Sequence, residues 1–136
     1  MSYAKNLLND GVTLVTGAGA GLGQALALEL ARQGQTVIGF GRTLESLQTT
    51  VEASKGQVIP MGVDVSDARA VATAFDEIKA CHGPVTRLMN NAAIYPRQDF
   101  LNQSPEQFEA VMRVNLGGLV ACTHAALQTM QHTGVG

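Results

Sequence analysis

The sequence predicts an α/β protein, a parallel sheet with helices on both of its faces. Two observations predict it. Short runs rich in β-branched residues alternate along the chain with longer runs of helical periodicity. Four glycines also follow the first apolar run directly, where a strand would turn into a helix. Parallel strands need helical crossovers, so we predict one domain over residues 1–136, built from βαβ units.

The predicted elements follow from apolar spacing and cap residues. Strands are predicted at residues 12–16, 36–40, 57–63 and 85–89, the third interrupted by Pro60. Helices are predicted at residues 22–32, from Thr43 to about 54, from Ser66 or Asp67 to the "HGP" at 82–84, and from Ser104 to 130.

Helix ends are marked by specific residues. Gly34 and Gly56 are placed as C-terminal caps. Ser104 begins a capping box, with Pro105 at the first helical position and Gln107 at the third. The pair at 117–118, both glycine, predicts close packing or a bend in the last helix.

Composition excludes several classes of function. The chain is 46% hydrophobic and 15% charged with a net charge of −2, which indicates a globular protein without a nucleic-acid surface. The three histidines show no metal-ligand spacing, so no metal is expected; they are His82, His124 and His132. Cys81 and Cys122 form no CxxC pair and are expected to be free thiols.

We expect a cytoplasmic protein without a membrane partner. The first eleven residues carry no apolar core typical of a signal peptide. No uninterrupted apolar run approaches the ~20 residues that cross a bilayer.

The glycine-rich turn predicts a phosphate site. The pattern G-x-G-x-x-G does not fit, whereas T-G-x-x-x-G-x-G fits as Thr16-Gly17, Gly21 and Gly23. A helix N-terminus offers free backbone N–H groups and a positive dipole end, and absent side chains let a pyrophosphate approach. The alternative is a tight strand–helix connection that uses small residues only for packing.

Four motifs together resemble the short-chain dehydrogenase/reductase family. They are "TGAGAGLG" at 16–23, "DV" at 64–65, "NNAA" at 90–93 and Asn115, and the resemblance covers residues 10–136. It implies a Rossmann-type sheet of strand order 3-2-1-4, truncated after the fourth strand and the following helix. That fourth strand would be an open edge, prone to self-association.

The resemblance also implies roles for individual residues. Asp64 would contact the adenine ring, and Asn115 would position a water near the active-site lysine. The family's N-N-A-G reads Asn90-Asn91-Ala92-Ala93 here, a tolerable change unless position 93 needs a positive φ. The implied cofactor-binding residues are Gly17, Gly19, Ala20, Gly21, Leu22, Gly23, Asp64, Val65, Asn91, Ala92 and Ala93.

Purely structural alternatives stay open at this stage. Asp64 could begin a capping turn ahead of Ser66, and Asn90 and Asn91 could be ordinary loop residues. Asn115 lies among apolar helix residues and therefore needs a hydrogen-bond partner.

The end of the second strand favours NADP over NAD. An NAD site usually has an acid about 20 residues after the glycine loop, whereas here Gly41-Arg42 occupies that position and the first acid is Glu45. Arg42 would donate hydrogen bonds to a 2′-phosphate, with Thr43 as a further donor. Ala20 adds nothing to this preference, and Arg42 could instead be a solvated surface residue.

The family's catalytic tyrosine and lysine are missing from these residues. Tyr3 is followed four residues later by Leu7, and Tyr95 by Asp99, so no Y-x-x-x-K exists. We expect the complete protein to move a hydride between the nicotinamide and a carbonyl or alcohol substrate, with this chain binding nucleotide without turnover. The alternatives are a naturally short, non-catalytic dinucleotide-binding or interaction protein and, less favoured, another Rossmann-type enzyme such as a methyltransferase. A homo-oligomer is expected by resemblance.

Overall fold

The computed structural model describes residues 11–134 and 136. The expectation about a signal peptide therefore lies outside the described residues. Four parallel strands form one sheet in the order β3-β2-β1-β4, which confirms the predicted topology. Their bounds are β1 Val12–Thr16, β2 Thr36–Gly41, β3 Val58–Gly62 and β4 Val85–Met89.

The helices cover both faces of this sheet. Their bounds are α1 Gly21–Arg32, α2 Gln48–Ala53, α3 Ala68–Cys81, α4 Pro105–Met112 and α5 Leu119–Thr133, with 3-10 turns at Glu45–Leu47 and Phe100–Asn102 and a π-helical turn at Arg113–Gly118. The last helix thus extends three residues beyond its predicted end.

Alternate residues of each strand supply two apolar cores. On one face Leu14 and Phe40 pack with Phe75 of α3 and Cys122 of α5. On the other face Val15 and its neighbours pack against α1 and the 3-10 turn before α2. Burial on both faces explains why β1 is buried at every position.

Most predicted helix ends are confirmed. Gly34 and Gly56 adopt φ of +84° and +78°, the left-handed conformation that closes a helix. Ser104 and Gln107 form both bonds of the capping box. Asp67, the second of the two predicted candidates, caps α3 through its side chain.

The helix predicted from Thr43 is wrong in its first turn. A 3-10 turn at Glu45–Leu47 precedes a shorter α2, and the Thr43 hydroxyl accepts the Ser46 N–H at 3.3 Å. The cause is tertiary: Ser46 lies against the glycine loop, and a Cβ at Gly19 would overlap its carbonyl oxygen. The sequence window around 43–54 contains no sign of this contact.

The two edges of the sheet differ. Edge strand β3 carries Pro60 at its centre, opposite Gly39, and proline has no N–H to offer to a further strand. Strand β4 contains no proline, and its outer edge has no paired strand among the described residues.

The last helical stretch is long and apolar. Within the described chain, Pro105–Thr133 is the one segment with the length and mean hydropathy, 1.3 over 18 residues, to cross a membrane by composition alone. Length and hydropathy do not by themselves indicate a membrane span, since the core helix of a globular protein has the same two properties. Cys122 and Ala126 tie α5 to the sheet core.

Candidate functional site

A cavity of about 290 Å³ lies at the carboxyl ends of the strands, where open parallel sheets bind ligands. It is lined by eight of the predicted cofactor residues: Gly17, Gly19, Ala20, Arg42, Asp64, Val65, Ala92 and Ala93. The structure thus brings together the glycine loop, the end of β2, the "DV" motif and the "NNAA" motif.

Close packing of the chain on itself explains three of the four loop glycines. A Cβ at Gly17 would lie 2.9 Å from the Cα of Ala92, and one at Gly19 would overlap Ser46. A Cβ at Gly23 would overlap both the Gly17 carbonyl and the Asn91 amide. Tight packing of the strand–helix connection, the alternative to phosphate binding, therefore accounts for these three glycines.

Gly21 is different. Its φ is +54°, and a Cβ built on it meets no atom within 4 Å. It is the first residue of α1, so its open side and its conformation keep space clear beside the helix N-terminus.

The N-terminus of α1 has no side-chain cap. Its N-cap residue is Ala20, which offers no acceptor, and no acidic side chain lies in the first turn. The first N–H with an intrachain acceptor is that of Gln24, 3.2 Å from the Ala20 carbonyl. The preceding N–H groups, those of residues 21–23, are therefore left for an external acceptor.

The loop is fixed from behind. The Ala18 N–H donates to the Phe40 carbonyl at 3.0 Å, and the Ala18 carbonyl accepts from the Thr50 hydroxyl at 2.8 Å. These bonds hold the backbone rigid without using the groups that face the cavity. A site fixed before its ligand arrives loses less entropy on binding.

A clamp between Thr16 and Asn91 joins the ends of β1 and β4. The Thr16 hydroxyl accepts the N–H groups of Asn91 and Ala92 at 3.0 and 2.9 Å. The Asn91 amide donates to the carbonyls of Thr16 and Gly17 at 3.1 and 3.2 Å. Asn91 therefore shapes the cavity through the backbone.

The neighbouring Asn90 donates to the Thr123 hydroxyl of α5 at 3.0 Å. Position 93 needs no glycine, because Ala93 is not among the described residues with positive φ. The change from the family's glycine is thus tolerated.

Asn115 finds the partner that its apolar surroundings require. Its Oδ1 accepts the Ile94 N–H at 2.8 Å, and its Nδ2 donates to the Ile94 carbonyl at 3.0 Å. It lies in the π-helical turn, a feature frequent at functional sites. Asn115 and Asn91 line a second cavity of about 180 Å³ beside the first.

The π-helical turn packs close to the "DV" motif. A Cβ at Gly118 would lie 2.6 Å from a Val65 methyl group, whereas one at Gly117 would lie no closer than 3.8 Å to its neighbours. Of the two glycines predicted to mark close packing, Gly118 is therefore the one that requires it.

The charged residues of the cavity are Arg42 and Asp64. Hydrogen bonds from Ser66, and then the charges of Arg42 and Arg113, hold the pKa of the Asp64 carboxyl below its usual value. Glu45 is not among the lining residues; it lies on a separate groove behind the 3-10 turn.

Six cavity residues were not predicted from the sequence: Phe40, Gly41, Ser46, Val63, Ile94 and Val114. Phe40, Gly41, Val63 and Ile94 lie at or shortly after the carboxyl end of a strand. The predicted parallel topology could have pointed to them, because ligands bind at these strand ends. Ser46 and Val114 could not be found in this way. Gly21, Leu22, Gly23, Asn91 and Thr43, which were predicted, border the loop or support it without lining the cavity.

A larger groove, about 530 Å³, lies between α3 and α5, away from the strand ends. Its two histidines, His124 and His132, belong to no group of potential metal ligands, and none exists among residues 11–134 and 136. Both cysteines are free thiols, as predicted, and burial raises the pKa of Cys122 to about 11.

Comparisons with known proteins agree with this geometry. Residues 11–136 match the family described as short chain dehydrogenase. The probable oxidoreductase EphD of Mycobacterium tuberculosis is 35% identical over 97% of this chain, which spans 23% of that protein. The short-chain reductase protein NovJ of Streptomyces niveus is 35% identical over 93% of this chain and half of its own length.

Solved structures show the same fold. A short-chain type dehydrogenase/reductase from Mycobacterium marinum has a TM-score of 0.89 and 27% identity, over all of this chain and 57% of its own. A metagenomic short-chain oxidoreductase in complex with NADP has a TM-score of 0.84 and 28% identity, over 96% of this chain and 61% of its own. The chain spans between 23% and 61% of the length of these relatives.

Proposed function

We propose that the chain, which belongs to the short-chain dehydrogenase family, binds NADP(H) in the cavity at the strand ends. The observation that carries the proposal is the combination at one edge of the sheet of an uncapped helix N-terminus with a cationic side chain, Arg42. The nicotinamide ring of this cofactor supplies or accepts a hydride.

The residues present fit such a cofactor. The N–H groups of residues 21–23 are free donors for the diphosphate, beside the open side of Gly21. Val65 and Val114 offer apolar surface for the adenine ring. Arg42 would hold the 2′-phosphate of NADP, because its guanidinium pairs well with phosphate and no lining carboxylate other than Asp64 opposes it.

The proposed reaction is hydride transfer between the nicotinamide and a carbonyl or alcohol substrate. These 136 residues contain Asn115 and no Y-x-x-x-K, so we assign turnover to a protein that also supplies the tyrosine, lysine and serine. Asn115 fixes the backbone of Ile94 at the cavity wall, and its proposed part in the proton relay is the placing of a water.

Calorimetric titration with NADPH and NADH tests the cofactor. The unchanged protein is expected to prefer NADPH, and Arg42→Glu is expected to weaken NADPH binding about a hundredfold, since a charge-assisted bond is lost and a repulsion gained. NADH binding should change little. Arg97→Glu, the same charge reversal on an exposed loop outside the cavity, is the matched control. Unchanged NADPH affinity in Arg42→Glu would contradict the assignment.

A non-catalytic dinucleotide-binding or interaction protein is the second candidate. The uncapped N-terminus of α1 and Arg42 favour it, because they could hold a dinucleotide without any catalytic step. The intact mass of the protein in its source cells separates the two candidates: a mass well above 14.2 kDa supports the oxidoreductase, and a mass of 14.2 kDa supports the second candidate.

A further inference from the structure

The π-helical turn at Arg113–Gly118 contacts two separate walls of the cavity at the strand ends. Asn115 holds the backbone of Ile94 through two hydrogen bonds of 2.8 and 3.0 Å. Three residues later, Gly118 lies against Val65, since a Cβ built on the glycine would be 2.6 Å from a Val65 methyl group. Ile94 and Val65 both line the cavity of about 290 Å³. A single turn of helix therefore contacts both of these walls.

The backbone conformation at Gly118 does not require a glycine. Its φ is −62° and its ψ is −43°, which are ordinary values for a right-handed helix. Glycine inside a helix is less favourable than alanine, because it loses more conformational freedom on folding. Gly117 has the same disadvantage, yet a Cβ there would approach no neighbouring atom closer than 3.8 Å. The two adjacent glycines thus differ in their contacts, and Val65 occupies the space that Gly118 leaves.

The helix around Gly118 is held on both sides of this residue. The two hydrogen bonds of Asn115 fix it on the N-terminal side. Cys122, which is fully buried in the sheet core, fixes it on the C-terminal side. Because the helix is held in this way, a side chain at position 118 would displace Val65.

Val65 has one direction in which to move. Its side chain is β-branched and therefore stiff at χ1, so a methyl group does not swing aside. Gly118 lines the smaller cavity of about 180 Å³, whereas Val65 lines both cavities. Val65 consequently stands between Gly118 and the larger cavity. Pressure from position 118 would push its side chain into the larger cavity.

We propose that Gly118 is a positioning residue for the cofactor: by leaving room for Val65, it keeps this wall back and the larger cavity wide enough to bind NADP(H). The inference rests on the proposed function, because the ligand is the cofactor assigned to this cavity. Gly118 acts through Val65 and does not line the larger cavity itself.

The test is a calorimetric titration of NADPH into the purified protein and its variants. Gly118→Ala should raise the dissociation constant about tenfold or more, because Val65 is pushed into the cavity. Gly117→Ala, the same substitution at the adjacent glycine, is the matched control and should stay within about twofold of the unchanged protein. A tenfold increase in Gly117→Ala as well would overturn the role of Gly118.

A double-mutant cycle identifies Val65 as the residue that is displaced. Val65→Ala removes the methyl group that a new Cβ would meet. In this background Gly118→Ala should change the dissociation constant by no more than about twofold, because no methyl group remains to be pushed. A tenfold change that persists in the Val65→Ala background would contradict the proposal.

The titration also separates positioning from loss of folded protein. A folding defect lowers the number of binding sites per chain, whereas a displaced Val65 raises the dissociation constant at unchanged stoichiometry. If Gly118→Ala binds NADPH as tightly as the unchanged protein, the positioning role is overturned while the proposed function stands. If the unchanged protein does not bind NADPH, the proposed function fails, and this inference fails with it.

The double variant decides the case in which Gly118→Ala does not fold. A folded Val65→Ala/Gly118→Ala protein that binds NADPH within about twofold of Val65→Ala supports the proposal, because removal of the methyl group has relieved the overlap. A double variant that also fails to fold overturns it, since the cause then lies outside Val65.

Discussion

Helices α1 and α3 both begin where a parallel strand ends, yet their N-termini are built differently. Asp67 closes the start of α3 by accepting two backbone N–H groups. Ala20 stands at the same position of α1 and offers no acceptor. The comparison shows that the chain satisfies its own backbone donors where a helix only has to start, and leaves them open beside the cavity. Helix α4 resembles α3 in this respect, because the capping box at Ser104 satisfies backbone donors at its start.

The largest expected effect comes from Gly23→Ala in α1. Its Cβ would overlap the Gly17 carbonyl and the Asn91 amide, both held in place by the clamp at the ends of β1 and β4. We expect a loss of about 3 kcal/mol in the free energy of unfolding, measured by urea denaturation.

Gly21→Ala is the matched control. The new Cβ meets no atom, so only the unfavourable φ of +54° remains, at a cost of about 1 kcal/mol. Equal losses in the two variants would show that close packing does not set the glycine at position 23.

Ala20→Asp tests directly whether the open N-terminus of α1 receives an anion. The residue has extended backbone, φ −157° and ψ 169°, which suits a capping side chain. We expect the free protein to gain about 1 kcal/mol of stability from the new cap. The affinity for NADPH, measured by calorimetry, should fall at least about tenfold because the carboxylate occupies the donors and repels phosphate.

Ala20→Asn separates the two causes, since it adds a cap without a charge. Its affinity should lie between those of the unchanged protein and Ala20→Asp. If both variants bind NADPH as tightly as the unchanged protein, the diphosphate does not lie at this N-terminus.

Asp67→Ala should have the smallest effect. Removal of the cap leaves the N–H groups of Arg69 and Ala70 without their acceptor, which costs about 1 kcal/mol in thermal or urea unfolding. NADPH affinity should stay within about twofold, because Asp67 does not line the cavity. A large loss of affinity would show that the start of α3 takes part in binding.

Local patterns predicted most helix ends, and the family resemblance implied the strand order. Gly34, Gly56 and the Ser104 capping box could be read from the sequence because a helix end depends on a few neighbouring residues. The parallel topology followed from the alternation of strands and helices together with the family resemblance.

Contacts between distant segments could not be read in the same way. The partner of Asn115 is a backbone 21 residues away, and the first turn predicted after Thr43 is altered by the glycine loop. The four loop glycines look alike in sequence, but only tertiary packing distinguishes Gly21, which faces open space, from the three that contact the chain.

Pro60 on the outer strand β3 limits how this sheet can grow. Growth into a fibre needs two complementary edges on every subunit, one to receive a strand and one to offer it. Here Pro60 breaks the row of outward-facing donors on the β3 edge. A further strand would meet a position without an N–H at the centre of that edge, so growth of the sheet beyond β3 is disfavoured.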